Sequence, residues 1–426
     1  MSVVRWLVVA SVVPLALGSA VARAQGAWPM PVEDPALASL LEEALSKNPD
    51  VAAARGAAEA AGERPAQARS LANPVLSVGY TNDGWPPSLG EMPMTTLAFV
   101  ASQDLPFPGK RGLRGEIAAR EAEEARRRAE RVGRSLTASV KRAYYGLVLS
   151  RGLLAVTREQ KGLWSEIEGV ARARYSVGQG AQQDVLRVQV ELTRVEQLLA
   201  EQEGEEQVSL AELDRLLARP ADSPIDTAVG LPLRPFPGTV DQLYEWAAGA
   251  SPELGEAGLA TDRAALAVSL AEKEYKPDFS VQAAYMNRGG LDPMWQAGIG
   301  VSLPVHRKRL SAGVAEARAG VHSAGSALES LRLQLRYRTQ ERFTQLKTTE
   351  KVAVLYAEGI VPQDRMSVEA ALANYQTGQV PFIAALEALT TLYNDRATHL
   401  RLLASHEQTL ATLEEAGLGA SGMGNP

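Results

Sequence analysis

Apolar positions recur along this chain with two different periods, and the periods alternate twice. Residues 35–70 are Ala-rich and predict helix, broken at Asn48-Pro49 and again near Gly62 to Pro65. Over 74–82 the period drops to two. Leu76, Val78 and Tyr80 share one face, and Ser77, Gly79 and Thr81 the other, which is the pattern of a strand. A Gly- and Pro-rich loop over 83–93 leads into a second strand over 95–104, with Leu97, Phe99 and Ala101 on one side. From 111 to 175 there is no proline, and Val132, Leu136, Val140, Ala143 and Leu147 step by three and four. That stripe predicts a long helix of coiled-coil type, roughly 100 Å at about 1.5 Å per residue. A dense run of charge (Glu121, Glu123, Glu124, Arg126, Arg127, Arg128, Glu130, Arg131) is expected to form its solvated face. The chain returns as helix over 181–218.

The second half repeats this order. Phe279, Val281, Ala283 and Tyr285 alternate with Ser280, Gln282, Ala284 and Met286. Asn287-Arg-Gly-Gly290 turns the chain. Trp295, Ala297, Ile299, Val301 and Leu303 then alternate with Gln296, Gly298, Gly300 and Ser302. Each strand has roughly 9–11 residues, the length a tilted strand needs to cross a bilayer. A helix out over 311–375 and a helix back over 381–416 complete the unit. Asn48-Pro49 matches Ser251-Pro252, and Asn73-Pro74 matches Lys276-Pro277, both 203 positions apart. Arg174-Tyr-Ser-Val-Gly-Gln-Gly180 matches Asn374-Tyr-Gln-Thr-Gly-Gln-Val380, 200 positions apart. In these two stretches a helical pattern meets a glycine and restarts, so each predicts the tip of a helical hairpin. Gly178 and Gly378 suit a helix terminus with positive φ, and Pro381 suits the first turn of the next helix.

Residues 1–24 have the three parts of a secretory signal: Arg5, an apolar core from Trp6 to Gly18, and Ala22-Arg23-Ala24 before Gln25. The organisation expected is therefore a signal (1–24), a first repeat (25–218), a linker with five prolines (219–238), a second repeat (239–417) and a disordered tail (418–426). The chain has no cysteine, which excludes disulfides and a lipid anchor on a cleavage-site cysteine. Its net charge of −6 becomes −8 without Arg5 and Arg23, so no basic surplus suggests nucleic acid. Beyond the signal no apolar run reaches about 18 residues, so any membrane span must consist of strands. Four strands cannot close, and lipid does not tolerate open edges; three copies would supply twelve.

Across 35–417 the chain resembles the TolC family of outer-membrane efflux channels. The resemblance is carried by the duplicated strand-hairpin and helix-hairpin unit, the Tyr-x-x-Gly tips, and Thr390-Thr-Leu-Tyr-Asn394. Gln103-Asp-Leu-Pro-Phe-Pro-Gly-Lys-Arg-Gly-Leu113 is similar to the stretch entering the first long helix in the heavy-metal-efflux branch. The resemblance implies a mainly α protein with a membrane β part: a homotrimer with a twelve-stranded β-barrel in outer-membrane lipid on a periplasmic α-helical barrel. It implies a passive duct in a tripartite efflux system, with metal ions as candidate cargo. The tips, at Gly178, Gly180, Gly378 and Gln379, would dock a periplasmic adaptor and an inner-membrane pump. It places Tyr375 and Asp184 as gate partners and Glu387 as a ring of acids in the constriction. Val380 stands where the family has a latch Arg, and Ala384 where it has a second acid. No phosphate loop or nucleophile motif supports an enzyme, and no cofactor is expected. His399 and His406 could share a helix face, but the other ligands of a zinc site are missing. A periplasmic coiled-coil adaptor or scaffold would share the signal and the long hairpins, but not the four alternating strands.

Overall fold

The computed structural model describes residues 34–90, 92–227 and 230–415; the expected signal and tail lie outside them. Three helices open the described chain: α1 (Pro35–Lys47), α2 (Pro49–Gly62) and α3 (Arg64–Arg69). Each has a proline in its first turn, where a missing N–H leaves no bond unmade. Asp34 and Asn48 cap α1 and α2 by accepting from the N–H groups of Ala36 and Asp50, both at 2.9 Å. Strands β1 (Val75–Thr81) and β2 (Thr96–Leu105) form a hairpin. Helix α4 (Lys110–Ser176) then runs 67 residues without a break, and α5 (Gln182–Leu217) returns beside it. The second half supplies α6 (Val240–Ala250), α7 (Pro252–Lys273), β3 (Asp278–Arg288) and β4 (Leu291–Ser302). It ends with α8 (Arg307–Leu355), α9 (Val361–Gln376) and α10 (Phe382–Glu414). Ser251 caps α7 as Asn48 caps α2, so the matched Asx/Ser-Pro pairs are the same device used twice.

The four strands make one antiparallel sheet in the order β1-β2-β3-β4. Its register lines up the alternation read from the sequence. Val78, Phe99, Tyr285 and Trp295 are successive partners across all four strands, and Leu76, Ala101, Ala283 and Ala297 form the next row. The opposite face carries Ser77, Val100, Ala284 and Gln296 in one row, and Ser102, Gln282 and Gly298 in another. One face is therefore aliphatic and aromatic, and the other mostly small or polar. Ile299 is 78% and Trp295 77% exposed, so no described residue covers the apolar face there.

Two expectations need correction. The outgoing helix of the second half is not continuous: one π turn at Tyr356–Ile360 joins α8 to α9. Pro362 lies just beyond it, and the wider turn accommodates a residue that lacks an N–H and crowds the preceding carbonyls. The charged run on α4 is not wholly solvated. Glu124 is buried and paired with Arg263 of α7 at 2.8 Å, and Arg128 pairs with Glu256 at 2.5 Å. The sequence hides this because the partners lie more than 120 positions away. The described residues of the proline-rich segment form no helix or strand, as expected, and the segment is packed down: Ile225, Leu231 and Phe236 are buried. Arg151 donates to the Ile225 carbonyl at 2.8 Å, and the Phe236 N–H donates to Glu350 at 2.7 Å.

The sheet is joined to the helices through one buried cation. Pro106 and Pro108 stop β2, and Gly109, at φ 89°, turns the chain into α4. Lys110, 1% exposed, places its Nζ 3.0 Å from both carboxylate oxygens of Asp278 and 3.3 Å from Glu274. The Phe107 N–H donates to the same Asp278 at 2.7 Å. Both halves of the chain thus meet where strand becomes helix. Lys110→Met should leave Asp278 without its buried cation and Glu274 with only the more distant Arg114, 3.9 Å away, weakening this junction by about 1.5–3 kcal/mol, the range for charge-assisted bonds. Limited proteolysis checks this: cleavage near residues 105–109 should speed up by an order of magnitude, while cleavage at the helix tips stays unchanged.

Candidate functional site

The two hairpin tips have the same backbone. At the first, the Gly178 N–H donates to the Tyr175 carbonyl at 3.0 Å and the Gln179 N–H to Arg174 at 2.9 Å. At the second, Gly378 donates to Tyr375 at 3.0 Å and Gln379 to Asn374 at 2.8 Å. This paired pattern satisfies the last carbonyls of a helix and needs a left-handed residue at its centre. Gly178 and Gly378 fill that role, with φ of 74° and 76°. Gly180 faces a different constraint: a Cβ there would lie 3.1–3.3 Å from Arg174 and the Tyr175 nitrogen. Gln379 is exposed.

Arg174 ties the tips together. It is the last basic residue of α4, and its guanidinium donates to the carbonyls of Tyr375 and, at 3.1 Å, Gln179. The same group lies over the Tyr375 ring, 4.8 Å from its centre. The backbone bonds fix the cation's position, and the ring face adds attraction. Sequence reasoning assigned Arg174 no role. The available signal was the repeat itself: Arg174 aligns with the neutral Asn374, and it supplies near the tip the charge that Val380 lacks. Val380 is packed into the apolar cluster below.

Tyr375 is buried, with its ring edge-on to Phe382 at 5.3 Å between centres. Its hydroxyl has no partner within hydrogen-bond range. Asp184 sits half-buried in the first turn of α5. Burial first, and the nearby Asp184 charge second, raise the Tyr375 pKa, while Arg174 opposes them. The phenol therefore stays a neutral donor beside a carboxylate. The chain brings Tyr375 and Asp184 together but does not close them into a hydrogen bond. Glu387 is elsewhere, exposed on α10 between the buried Ala385 and Leu389. Ala384 is half-buried.

Behind the tips, Trp164, Ile167, Val188, Val368, Leu389 and Tyr393 form a buried core from four helices. Arg396 of α10 grips Glu159 of α4 with two bonds of 2.7 and 2.8 Å, and this holds the Glu159 pKa down. Among the described residues no cluster of three or more His, Cys, Asp or Glu side chains could hold a metal ion. His406 is buried in the body of the helices, 3.4 Å from both Glu350 and Glu407, and His399 is half-buried. No described helix is long and apolar enough to cross a membrane.

The family described as outer membrane efflux protein matches residues 40–219 and 243–418. The nickel-cobalt-cadmium resistance protein NccC of Alcaligenes xylosoxydans xylosoxydans is 25% identical over 325 residues, spanning 75% of this chain and 72% of the relative. Among solved structures, the outer membrane protein VceC of Vibrio cholerae superposes with a TM-score of 0.76 at 19% identity, covering 90% of this chain and 96% of its own. The channel protein CusC gives 0.75 at 17%, covering 91% and 92%. At these identities the structural likeness establishes the fold.

Two substitutions separate tip geometry from tip linkage. Gly378→Ala forces a Cβ into a left-handed conformation, costing about 1–2 kcal/mol. It also brings that Cβ 3.3 Å from Arg174. Arg174→Met keeps the apolar stem but removes the bonds to Tyr375 and Gln179. Amide hydrogen exchange should accelerate locally at Gly378 and Gln379 in the first variant. In the second it should accelerate at both tips together, by roughly tenfold, for a loss of about 1.4 kcal/mol or more.

Proposed function

The chain belongs to the outer membrane efflux protein family, and we propose that it is the passive outer-membrane duct of a tripartite export system, with no chemistry of its own. It resides in the outer membrane, with its helical part in the periplasm. The family match removes the adaptor or scaffold reading. One observation carries the proposal: the continuous apolar face across four strands, backed by a face of mostly small and polar residues. Such a sheet suits a wall between lipid and water.

In this reading three copies close their sheets into a twelve-stranded barrel and their helical hairpins into a tube beneath it. Residues 25–218 and 239–417 act as the two repeats of each copy, strapped together by 219–238. The tips at Gly178, Gly180, Gly378 and Gln379 dock a periplasmic adaptor and, through it, an inner-membrane pump. Tyr375 and Asp184 form the gate, with Arg174 supplying the cation that Val380 does not. Three copies of Glu387 give a ring of acids that draws cations into the constriction. The metal-resistance relative makes metal ions the first cargo to test.

Recordings from purified protein in planar bilayers test the duct and its faces. Wild-type protein should conduct with cation preference, and Glu387→Gln should reduce that preference without abolishing conduction. Ile299→Arg places a charge on the lipid face, at about 2–4 kcal/mol near the midplane, and should cut the yield of inserted channels. Gln296→Arg should insert normally and shift selectivity toward anions. Loss of insertion in Gln296→Arg with normal Ile299→Arg would reverse the assignment of the faces.

A further inference from the structure

We propose that the outer end of the sheet carries a thioether site for a soft monovalent metal ion, formed by Met286 and Met294 with Met92 and Met94 beside them. Four of the chain's eight methionines belong to this end of the sheet: Met286 and Met294 on β3 and β4, and Met92 and Met94 on either side of Pro93, which is bonded to Arg288. Met286 and Met294 are direct cross-strand partners. Directly opposed side chains on an antiparallel pair have Cβ atoms about 4.5–5.5 Å apart, so two flexible thioethers there can converge on one ion.

The face they occupy makes the pair unusual. Met286 and Met294 lie on the side that bears Ser280, Gln282, Gln296 and Ser302 among small residues, with Val100 as the other larger apolar side chain near them. The same row continues into Ala98 and Gly79, which leave the sulfurs uncovered on that side. Met294 is 48% exposed. An apolar side chain on a water-facing wall gains nothing from burial, so its sulfur is the group with chemistry to offer there.

The second pair is held near the first by specific contacts. The Arg288 guanidinium, at the end of β3, donates twice to the Pro93 carbonyl, at 3.1 and 2.8 Å. This anchors Met92-Pro93-Met94 beside the β3–β4 turn. Gly90 packs tightly on Gly289 and Gly290: a Cβ on Gly90 would meet the Gly290 nitrogen at 2.5 Å, and one on Gly289 would meet the Gly90 Cα at 2.5 Å. Thr95, fully buried, accepts from the Asp83 N–H at 3.0 Å and fixes the other side of the segment. Met92 and Met94 are nonetheless exposed. The loop is thus tied down by its backbone while its thioethers stay accessible.

The ligand set selects the ion. Neutral thioethers suit Cu(I) and Ag(I); nickel, cobalt and zinc prefer imidazole, thiolate or carboxylate donors. No histidine stands on the strands or in the 82–95 loop, and the chain has no cysteine. Asp292, two positions before Met294 and on the same face of β4, sets one carboxylate beside the thioethers; with neutral sulfur supplying the other donors such an ion is held weakly, as a duct's exit requires. Only the placement of this face in the lumen rests on the channel reading.

The test uses the full-length protein in detergent, with its methionine methyl groups labelled by carbon-13, and silver nitrate in chloride-free buffer. Silver ion should shift the methyl resonances of Met286, Met294, Met92 and Met94 while leaving the exposed Met366 of α9 unmoved. Met286→Leu with Met294→Leu should weaken silver binding at least tenfold, and cadmium or nickel nitrate should leave the four resonances in place. Equal shifts at Met366, undiminished binding in the double variant, or equal response to nickel would each overturn the site. Pore formation in bilayers is scored separately on the same preparations. A conducting channel without these shifts removes the site alone; the shifts in a protein that forms no pore retain the site and remove the duct.

Discussion

A four-stranded sheet with one apolar face and two unpaired edges satisfies neither water nor lipid. Water penalises the row of Val78, Phe99, Tyr285 and Trp295. Lipid covers that row but leaves the free N–H and C=O groups of β1 and β4 without partners. Further copies of the sheet, joined edge to edge, answer both demands at once. In the proposed assembly the polar face would then line a lumen, and each helical hairpin would be brought alongside its neighbours. An isolated hairpin as long as α4 and α5 buries too little of itself to stand alone. Sheet and helices therefore pose the same problem, and the proposed association would answer it for both.

Association helps only if sheet and helices move as one body. Lys110 provides that link, because its buried ammonium joins the start of α4 to Asp278 at the start of β3. Lower down, α4 is held to α7 through Glu124 and Arg263, and to α10 through Glu159 and Arg396. At the far end Arg174 fastens one tip to the other. These ties all run between the two halves of the chain. The halves look alike in sequence, and the side chains that join them do not.

That asymmetry explains what could be read in advance. The strand alternation, the Asn48-Pro49 and Ser251-Pro252 starts and the tip glycines are local patterns, and each is visible within a dozen residues. The family resemblance drawn from those patterns agrees with the match over 40–219 and 243–418. The burial of Glu124 was not legible, since a carboxylate within a charged run looks the same whether its partner is water or Arg263. The π turn at Tyr356–Ile360 was missed because Pro362 sits in an otherwise uninterrupted helical pattern. Arg174 escaped notice because it binds a backbone carbonyl 201 positions away, and such a contact leaves no mark in composition or spacing.

The account stands or falls on the number of copies that complete the sheet. Native mass spectrometry of the protein released from detergent measures this directly. Three chains, which fall apart only when the detergent and the strand structure are both lost, are the predicted result. A single chain that stays folded and monodisperse in buffer without detergent would contradict it, because the apolar face of the sheet would then need neither lipid nor a second copy.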